Sequence, residues 1–288
     1  MAHIQQNHPD NQGILEEYRL HLKLANRSDN TLETYLRVLE RFIARTSVPI
    51  PDVTSNHVLE WLQENGRYKK ETTLATWISI LSAFFTYCVS EGYISQSPIR
   101  RRWRPRLPEP IPKYLDKEEV ARVRMQSEIE NLRNQVLFEF LVSSGCRITE
   151  TLMLDMEDID LKTRTARVKG KGNKIRTVHF SNRCAILMET YLENIPEESE
   201  GIFINQHGKR LTRGGAHMIL SGMGKSAELE VPFGPHRLRH TFATTLLSKG
   251  AELSFISEEL GHSHLQTTRV YARLPKEELV SMYRKYMG

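Results

Sequence analysis

The side chains best suited to chemistry lie in the second half of this 288-residue chain. They are two arginines, a lysine, two histidines and a tyrosine: Arg147, Lys171, His236, Arg239, His262 and Tyr271. Two guanidiniums together suit the oxygens of a phosphate, because each is permanently charged and offers paired donors. A tyrosine hydroxyl can act as a nucleophile once a neighbouring group accepts its proton. The set therefore suits the transfer of a phosphate ester to a side chain.

Each member has an ordinary structural explanation when it is taken alone. Tyr271 could be a half-buried helix tyrosine, Lys171 a solvated hairpin lysine, and Arg147 a charge partner for a helix C-terminus. The GKGNK turn around Lys171 lacks the spacing of a P-loop, so a hairpin turn is the better interpretation. His236 and His240 are four residues apart, as zinc ligands can be, but no glutamate follows His236 and no third ligand is evident. The sequence predicts neither a metal site nor a cofactor.

The first 100 residues show the periodicity of four amphipathic helices. Apolar residues recur at helical spacing in four successive stretches, the last of which ends at Gly92. Asn30 and Glu33 have the spacing of a capping box at the start of the second helix. The pattern predicts a small helical domain whose aromatic residues form its core.

A basic, proline-rich segment follows this domain. Residues 101–113 (RRWRPRLPEPIPK) contain five basic residues, one acidic residue and four prolines. Prolines hold a chain extended, so the segment is predicted to be a semi-rigid linker. From composition alone, a solvated connector and a segment that follows a phosphate backbone are both open.

The residues after the linker predict a mainly helical domain with a small antiparallel β-sheet. Asp116 and Glu119 open one helix, and the next helix runs to Gly145. Residues 164–180 alternate around the GKGNK turn and predict a β-hairpin, which carries six basic residues between positions 164 and 176 and no acidic one. Further helices are expected from Ser181, Thr212, His236, Ser254 and about Leu265, and a short strand at GIFIN, residues 201–205.

Composition limits the class of protein. The formal net charge is +5, but residues 1–100 contain 10 basic and 11 acidic residues, so the excess lies in the linker and the C-terminal domain. No stretch approaches the ~18 consecutive apolar residues of a membrane helix, and the N-terminus has no secretory signal. The three cysteines are far apart and lack a CxxC pair, as expected for reduced thiols. We expect a soluble, cytoplasmic protein associated with the nucleoid if DNA is its partner.

Four motifs follow one another in an order and spacing that is far more specific than any one of them. SGCRITE, KGKGNK, HRLRHTFAT and LGHSHLQTTRVYA resemble those of the tyrosine recombinase (phage integrase) family, in particular its short Xer-like members. The resemblance covers nearly the whole chain. It implies a SAM-like core-binding domain over residues 1–100, a linker over 101–113, and a catalytic domain over 114–288 that ends in a protomer-docking helix.

The resemblance also implies how the set would cleave and rejoin DNA without metal or ATP. Tyr271 would form a 3′-phosphotyrosyl link, and His236 would accept its proton. Lys171 would protonate the departing 5′ oxygen. The side chains expected to stabilise the nonbridging oxygens are Arg147, Arg239, His236 and His262.

Supporting and DNA-contacting residues are expected around that set. Glu150, three residues after Arg147, would orient it, although a surface carboxylate at a helix end is the alternative. His240 is expected to form a supporting or core hydrogen bond. The side chains expected to contact DNA are Arg101, Arg102, Arg104 and Arg106 in the linker and Lys169 and Lys174 in the hairpin.

The last 17 residues, ARLPKEELVSMYRKYMG, predict a short amphipathic helix. It either packs on its own domain or, as the resemblance implies, docks into a neighbouring protomer, and such a head-to-tail contact closes a ring. The implied partners are a double-stranded DNA recombination site and a tetramer of protomers, identical or including a related recombinase. A type IB topoisomerase and a DNA-binding regulator with an inactivated recombinase fold are the alternatives. Whether the protein resolves chromosome dimers, integrates phage DNA or resolves a transposon stays open.

Overall fold

The chain divides into two compact units, Met1–Glu109 and Pro110–Gly288. The computed structural model describes residues 9–46, 48–105, 107, 113–196 and 199–261, with the backbone alone at 9, 10, 101 and 171. The described residues are mainly helical with a small antiparallel sheet, which confirms the predicted fold class.

The first unit is built from the predicted helices. They are α1 (Pro9–Leu24), α2 (Asp29–Thr46), α3 (Ser55–Gly66) and α4 (Glu71–Ser90). Aromatic side chains occupy its centre: Phe42 lies edge-on to Trp61 and to Phe85, and Phe84 meets Phe85 in the same way. The stripes of apolar residues therefore face one shared core, as their helical spacing predicted.

By length and composition, α4 is also apolar enough to cross a membrane, with a mean hydropathy of 1.4 over its best window. Its apolar side chains, including Trp77, Leu81 and Phe84, are buried in the core of the first unit. The core of a helical domain accounts for its composition.

Two of the predicted helix starts, at Asp116 and at Asn30, have different outcomes. At α5 (Lys117–Ser127) the Asp116 side chain accepts a hydrogen bond from the Glu119 backbone N–H, and the Glu119 side chain accepts one from Asp116 in return. The capping box predicted from Asn30 and Glu33 is wrong. The carbonyl of Ser28 accepts the first bond of α2, so Asn30 already lies within the helix.

The beginning of the predicted linker also differs from expectation. Arg101–Trp103 form a turn of 3-10 helix, and Trp103 packs against the core of the first unit. The indole adds apolar contact that an extended chain would lose, so these three residues are not extended as the prolines suggested. The division between the two units falls further along, after Glu109.

Helix α6 (Leu132–Ser144) lies at the centre of the second unit. Its side chains Leu137, Phe138, Phe140 and Leu141 are fully buried. The other elements of this unit are α5, α7 (Ile148–Leu152), β1 (Ile159–Asp160), β2 (Thr165–Lys169), β3 (Ile175–His179), α8 (Asn182–Leu192), α9 (Arg213–Ser226), α10 (Pro235–Ser248) and α11 (Leu253–Leu260). Ser181 and Thr212 cap α8 and α9 as predicted. The helix predicted at about Leu265 lies outside the described residues.

The sheet has the antiparallel order β1-β2-β3, and β2 and β3 form the predicted hairpin. Ala166 pairs with Val178, and both face the core. The strand predicted at residues 201–205 is wrong: a single bridge joins Ile204 to Arg210. The backbone hydrogen bonds of residues 201–205 join two separate segments. The Ile202 N–H donates to the Leu154 carbonyl, and the Phe203 carbonyl accepts from the Leu211 N–H, so no continuous ladder forms.

Gly145 ends α6 in a left-handed conformation, with φ 63°. An ideal Cβ at this position would lie 2.3 Å from Cδ1 of Phe242 on α10. Glycine is therefore required twice, for its backbone angle and for the close approach of the ring.

We expect Gly145→Ala to destabilise the second unit more than Gly208→Ala, its matched control. Gly208 has a similar φ of 73° but open space around its Cβ position. The control should cost about 1–2 kcal/mol for the left-handed backbone, and Gly145→Ala about 1–3 kcal/mol more for the clash. Urea unfolding followed by circular dichroism measures both losses. Equal losses would contradict the clash.

Candidate active site

Arg147 precedes α7 and is held by Glu150. The Glu150 carboxylate accepts a hydrogen bond from the Arg147 backbone N–H at 2.9 Å and another from its Nη1 at 2.8 Å. Glu150 is therefore buried and paired with Arg147, and the alternative of a surface carboxylate is wrong. Within the described part of the chain, Nε and Nη2 of Arg147 have no bonded partner, and the side chain is 35% exposed. No described residue therefore competes with an anion for these donors.

A second guanidinium, that of Arg176 on β3, binds the same carboxylate of Glu150. Its Nη1 and Nη2 lie 2.9 and 2.8 Å from Oε1 and Oε2 of Glu150. Burial raises the pKa of Glu150, but the bonds from Arg176 and Arg147 outweigh it and lower the pKa from 4.5 to about 2. Glu150 is thus ionised at every physiological pH.

Arg239 on α10 is buried, and two main-chain carbonyls fix its side chain. Nη1 donates to the carbonyl of Gly145 at 2.8 Å, and Nη2 donates to that of Leu260 at 2.6 Å. Gly145 is two residues before Arg147, so the end of α6 brings the two predicted phosphate-binding arginines to one region. Burial raises the pKa of Cys146, the residue between Gly145 and Arg147 in the sequence, to about 11, so its thiol is neutral.

The two histidines of HRLRH occupy the first turns of α10. Pro235 begins the helix, so His236 lies in its first turn and is exposed, and His240 follows one turn later and is partly buried. Burial lowers the pKa of His240, and the charges of His236 and Arg239 lower it further. His240 is therefore neutral at physiological pH, whereas His236 is accessible to a ligand.

Lys171 lies at the tip of the β2–β3 hairpin. The turn is closed by a bond from the Gly170 N–H to the Lys174 carbonyl at 2.8 Å, and Gly172 is left-handed with φ 75°. Lys169 and Lys174 flank it and are exposed. At Gly170, an ideal Cβ would lie 3.3 Å from Oε1 of Glu150, so the base of this turn is close to the pair of arginines around Glu150.

The remaining predicted residues are not all described. His262, Tyr271 and Arg106 lie outside the described residues, as does the side chain of Arg101. In the first unit, Arg102 and Arg104 are exposed. The described chain therefore brings Arg147, Glu150, Arg239, His236, His240 and the Lys171 backbone into one unit. The described residues contain no group of three or more metal-ligating side chains.

Sequence reasoning did not assign Arg176 or Glu259 to the site. Arg176 was counted among the basic residues of the hairpin, yet it is only 16% exposed. A signal was present: in IRTVHF, Arg176 shares the alternating register of the core residues Val178 and Phe180. Glu259 binds Nδ1 of His179 through its carboxylate, at 2.9 Å, and only the folded chain brings these distant positions together.

Family models match both units. The phage integrase family matches residues 113–278, and the N-terminal SAM-like domain of phage integrases matches residues 15–92. The chain belongs to the phage integrase family of tyrosine recombinases, and it is a site-specific recombinase.

Curated relatives are similar over most of their length. The chain is 31% identical to tyrosine recombinase XerD of Listeria monocytogenes, over 95% of this chain and 98% of the relative. It is 36% identical to tyrosine recombinase XerC of Oceanobacillus iheyensis, over 72% of each.

Solved structures share the fold. The XerH recombinase bound to its palindromic difH substrate in a post-cleavage complex has a TM-score of 0.78 at 24% identity, covering 95% of this chain and 84% of that one. A lambda integrase dimer (residues 75–356) bound to a COC′ core site has a TM-score of 0.74 at 18% identity, covering 89% and 96%.

Stability should depend on the ionisation of Glu150. Its folded-state pKa is depressed, so its stabilisation is complete above about pH 4.5 and is lost as the pH falls toward 2. Removing the buried charge in Glu150→Gln leaves Arg176 without its counter-ion, which should cost about 3–5 kcal/mol at neutral pH. The difference between wild type and variant should narrow as the pH falls below 4.5. Urea unfolding followed by circular dichroism measures it.

The control for this experiment is Glu128→Gln. Glu128 also pairs with an arginine, Arg183, at 2.6 Å, but both partners are about half exposed. Exposed pairs contribute about 0–1 kcal/mol, so the control should follow wild type throughout. A loss in Glu150→Gln that did not change with pH would contradict the assignment.

Proposed function

We propose that the protein cleaves and rejoins a double-stranded DNA recombination site through a 3′-phosphotyrosyl intermediate at Tyr271, without metal or ATP. The observation that carries this proposal is the anchoring of Arg147 and Arg239 in one region, with donors of Arg147 left for an anion. The family supports it, because its members are tyrosine recombinases. The order of the motifs in the sequence identifies Tyr271 as the proposed nucleophile.

The proposed reaction balances without a further reactant. The Tyr271 oxygen attacks phosphorus, the bond from phosphorus to the 5′ oxygen breaks, and His236 takes the phenol proton while Lys171 gives one to the 5′ oxygen. Arg147, Arg239 and His262 stabilise the negative charge that builds on the nonbridging oxygens. Attack of another 5′ hydroxyl on the phosphotyrosine reverses these steps. The phosphodiester energy is conserved, so no ATP is consumed.

Glu150 and His240 support this set without touching DNA. Glu150 holds Arg147 through two bonds. His240, partly buried and with a lowered pKa, is a neutral neighbour of His236.

The two units would divide the work of binding DNA. Residues 1–100 would form the core-binding domain, residues 101–113 the linker and residues 114–288 the catalytic domain. The proposed phosphate contacts are Arg101, Arg102, Arg104 and Arg106 of the linker and Lys169 and Lys174 of the hairpin. Exposure of Arg102, Arg104, Lys169 and Lys174 supports this assignment.

We further propose that the active assembly is a tetramer of protomers on two DNA sites in the cytoplasm, joined by the C-terminal helix. A lambda integrase structure of the same fold is a tetramer bound to a Holliday junction. The partner protomers are identical or include a related recombinase, as the separate XerC and XerD relatives suggest.

Tyr271→Phe should abolish cleavage and leave DNA affinity nearly unchanged, because the substitution removes only the attacking oxygen. A nicked suicide substrate traps the covalent adduct in wild type and not in the variant, and gel shift measures binding. An adduct that persists in the variant would exclude Tyr271 as the nucleophile.

A DNA substrate that carries two copies of the cognate site tests the class of enzyme. Relaxation of this DNA without recombinant products would indicate a type IB topoisomerase.

Affinity for DNA should fall steeply with salt, by about 0.9 in log affinity per log unit of salt for each phosphate neutralised. The double variant Arg102→Ala, Arg104→Ala should reduce this slope by up to about 1.8 if each side chain meets a phosphate. Arg183→Ala is the control, because its guanidinium already binds Glu128 and Glu139. Equal slopes in all three proteins would rule out phosphate contacts by Arg102 and Arg104.

A further inference from the structure

Arg176 has no role in the proposed reaction, yet its guanidinium donates three hydrogen bonds beside the site, two to the Glu150 carboxylate and one to the Glu259 carbonyl. We propose that Arg176 is a positioning residue: it joins Arg147, the Lys171 hairpin and the end of α11 into one arrangement and thereby sets the rate of DNA cleavage without contacting DNA. This inference rests on the proposed function.

The guanidinium of Arg176 uses both of its edges. Nη1 and Nη2 form a two-pronged contact with Glu150 on α7, at 2.9 and 2.8 Å. Nε donates to the main-chain carbonyl of Glu259 on α11 at 3.2 Å. The side chain is 16% exposed, so it is largely withdrawn from any ligand. A planar fork suits this geometry, because three donors are fixed at once.

These contacts join three segments that carry proposed site residues. Through Glu150, Arg176 reaches Arg147 at the start of α7. Its own strand, β3, continues the hairpin that bears Lys171. Through Glu259 it holds the last turn of α11, whose final carbonyl, at Leu260, binds Arg239. The chain reaches His262 two residues later.

The backbone leaves little room for Arg176 to move. An ideal Cβ at Gly261, which is left-handed with φ 63°, would lie 2.8 Å from Nε of Arg176. An ideal Cβ at Gly170 would lie 3.4 Å from its Nη1. The guanidinium is therefore enclosed by the hairpin turn on one side and the end of α11 on the other. These neighbours limit the movement of the Arg176 side chain, and its two bonds to Glu150 limit the movement of that carboxylate.

The same unit contains a second buried glutamate with two arginines. Glu139 on α6 binds Arg124 at 2.5 Å and Arg183 at 3.1 Å. Neither Arg124 nor Arg183 contacts a proposed site residue through a described bond. Removing Arg124 therefore leaves a buried carboxylate with one arginine, as removing Arg176 does, but away from the site.

The test compares Arg176→Gln and Arg176→Lys with the matched control Arg124→Gln. Each protein is incubated with the nicked suicide substrate in excess of its dissociation constant, and the first-order rate of adduct formation is measured below the unfolding temperature. We expect Arg176→Gln to lower this rate about 10- to 100-fold, since a displacement near 1 Å of a reacting group costs about that much. DNA affinity should be unchanged. Arg176→Lys, which keeps the charge but loses the fork, should fall between.

Stability measurements separate positioning from structure. Arg124→Gln should lower the unfolding temperature about as much as Arg176→Gln and leave the cleavage rate close to that of the wild type. Equal rates for Arg176→Gln and wild type, or an equal loss in Arg124→Gln, would overturn the inference. Failure of the wild type to form any adduct would instead overturn the proposed function.

Discussion

The site depends on one buried carboxylate. A lone ionised glutamate in the interior would be strongly destabilising, so Glu150 needs both of its cationic partners. Arg147 is the residue just before the same short helix, and Arg176 comes from strand β3. The hydrogen bonds from Arg176 to the Glu150 carboxylate therefore hold the hairpin against α7. The need to neutralise a buried charge in this way also fixes the relative position of the two elements. Glu150 occupies Nη1 and the backbone N–H of Arg147, and the Arg147 side chain stays 35% exposed.

Main-chain carbonyls provide the second kind of anchor. Helix C-termini leave carbonyls without intrahelical partners, and the macrodipole gives them partial negative charge. Arg239 takes the carbonyl of Gly145, just after α6, and that of Leu260, the last residue of α11. Both helices end in a left-handed glycine, Gly145 and Gly261, with φ 63° in each case. The sharp turns at these glycines leave the carbonyls open to hydrogen bonds from a guanidinium. The two turns therefore end the helices and also provide the carbonyls that hold Arg239.

The fold was predictable from local pattern, whereas the inner support of the site was not. Helical and alternating periodicity gave the helices and the hairpin, since those elements bury a face that the spacing already marks. The strand predicted at residues 201–205 failed because its apolar run is buried without a partner strand, and buried runs look alike in sequence. Motif order named Arg147 and Arg239, but the link from Arg176 to Glu150 joins positions on different elements and becomes visible only after folding.

Folding also sorts charges that the sequence counts as equal. Of the basic residues in the hairpin, Arg176 is bound to Glu150 and Arg167 lies near Asp158, at 3.6 Å, while Lys169 and Lys174 stay exposed. The exposed lysines add to the attraction of a polyanion, whereas the field of a paired guanidinium is reduced by its carboxylate partner. The hairpin therefore presents basic residues with different roles on its outward and inward faces. Its outward side chains are suited to contact phosphate, and its inward arginine sets the geometry behind the reacting groups.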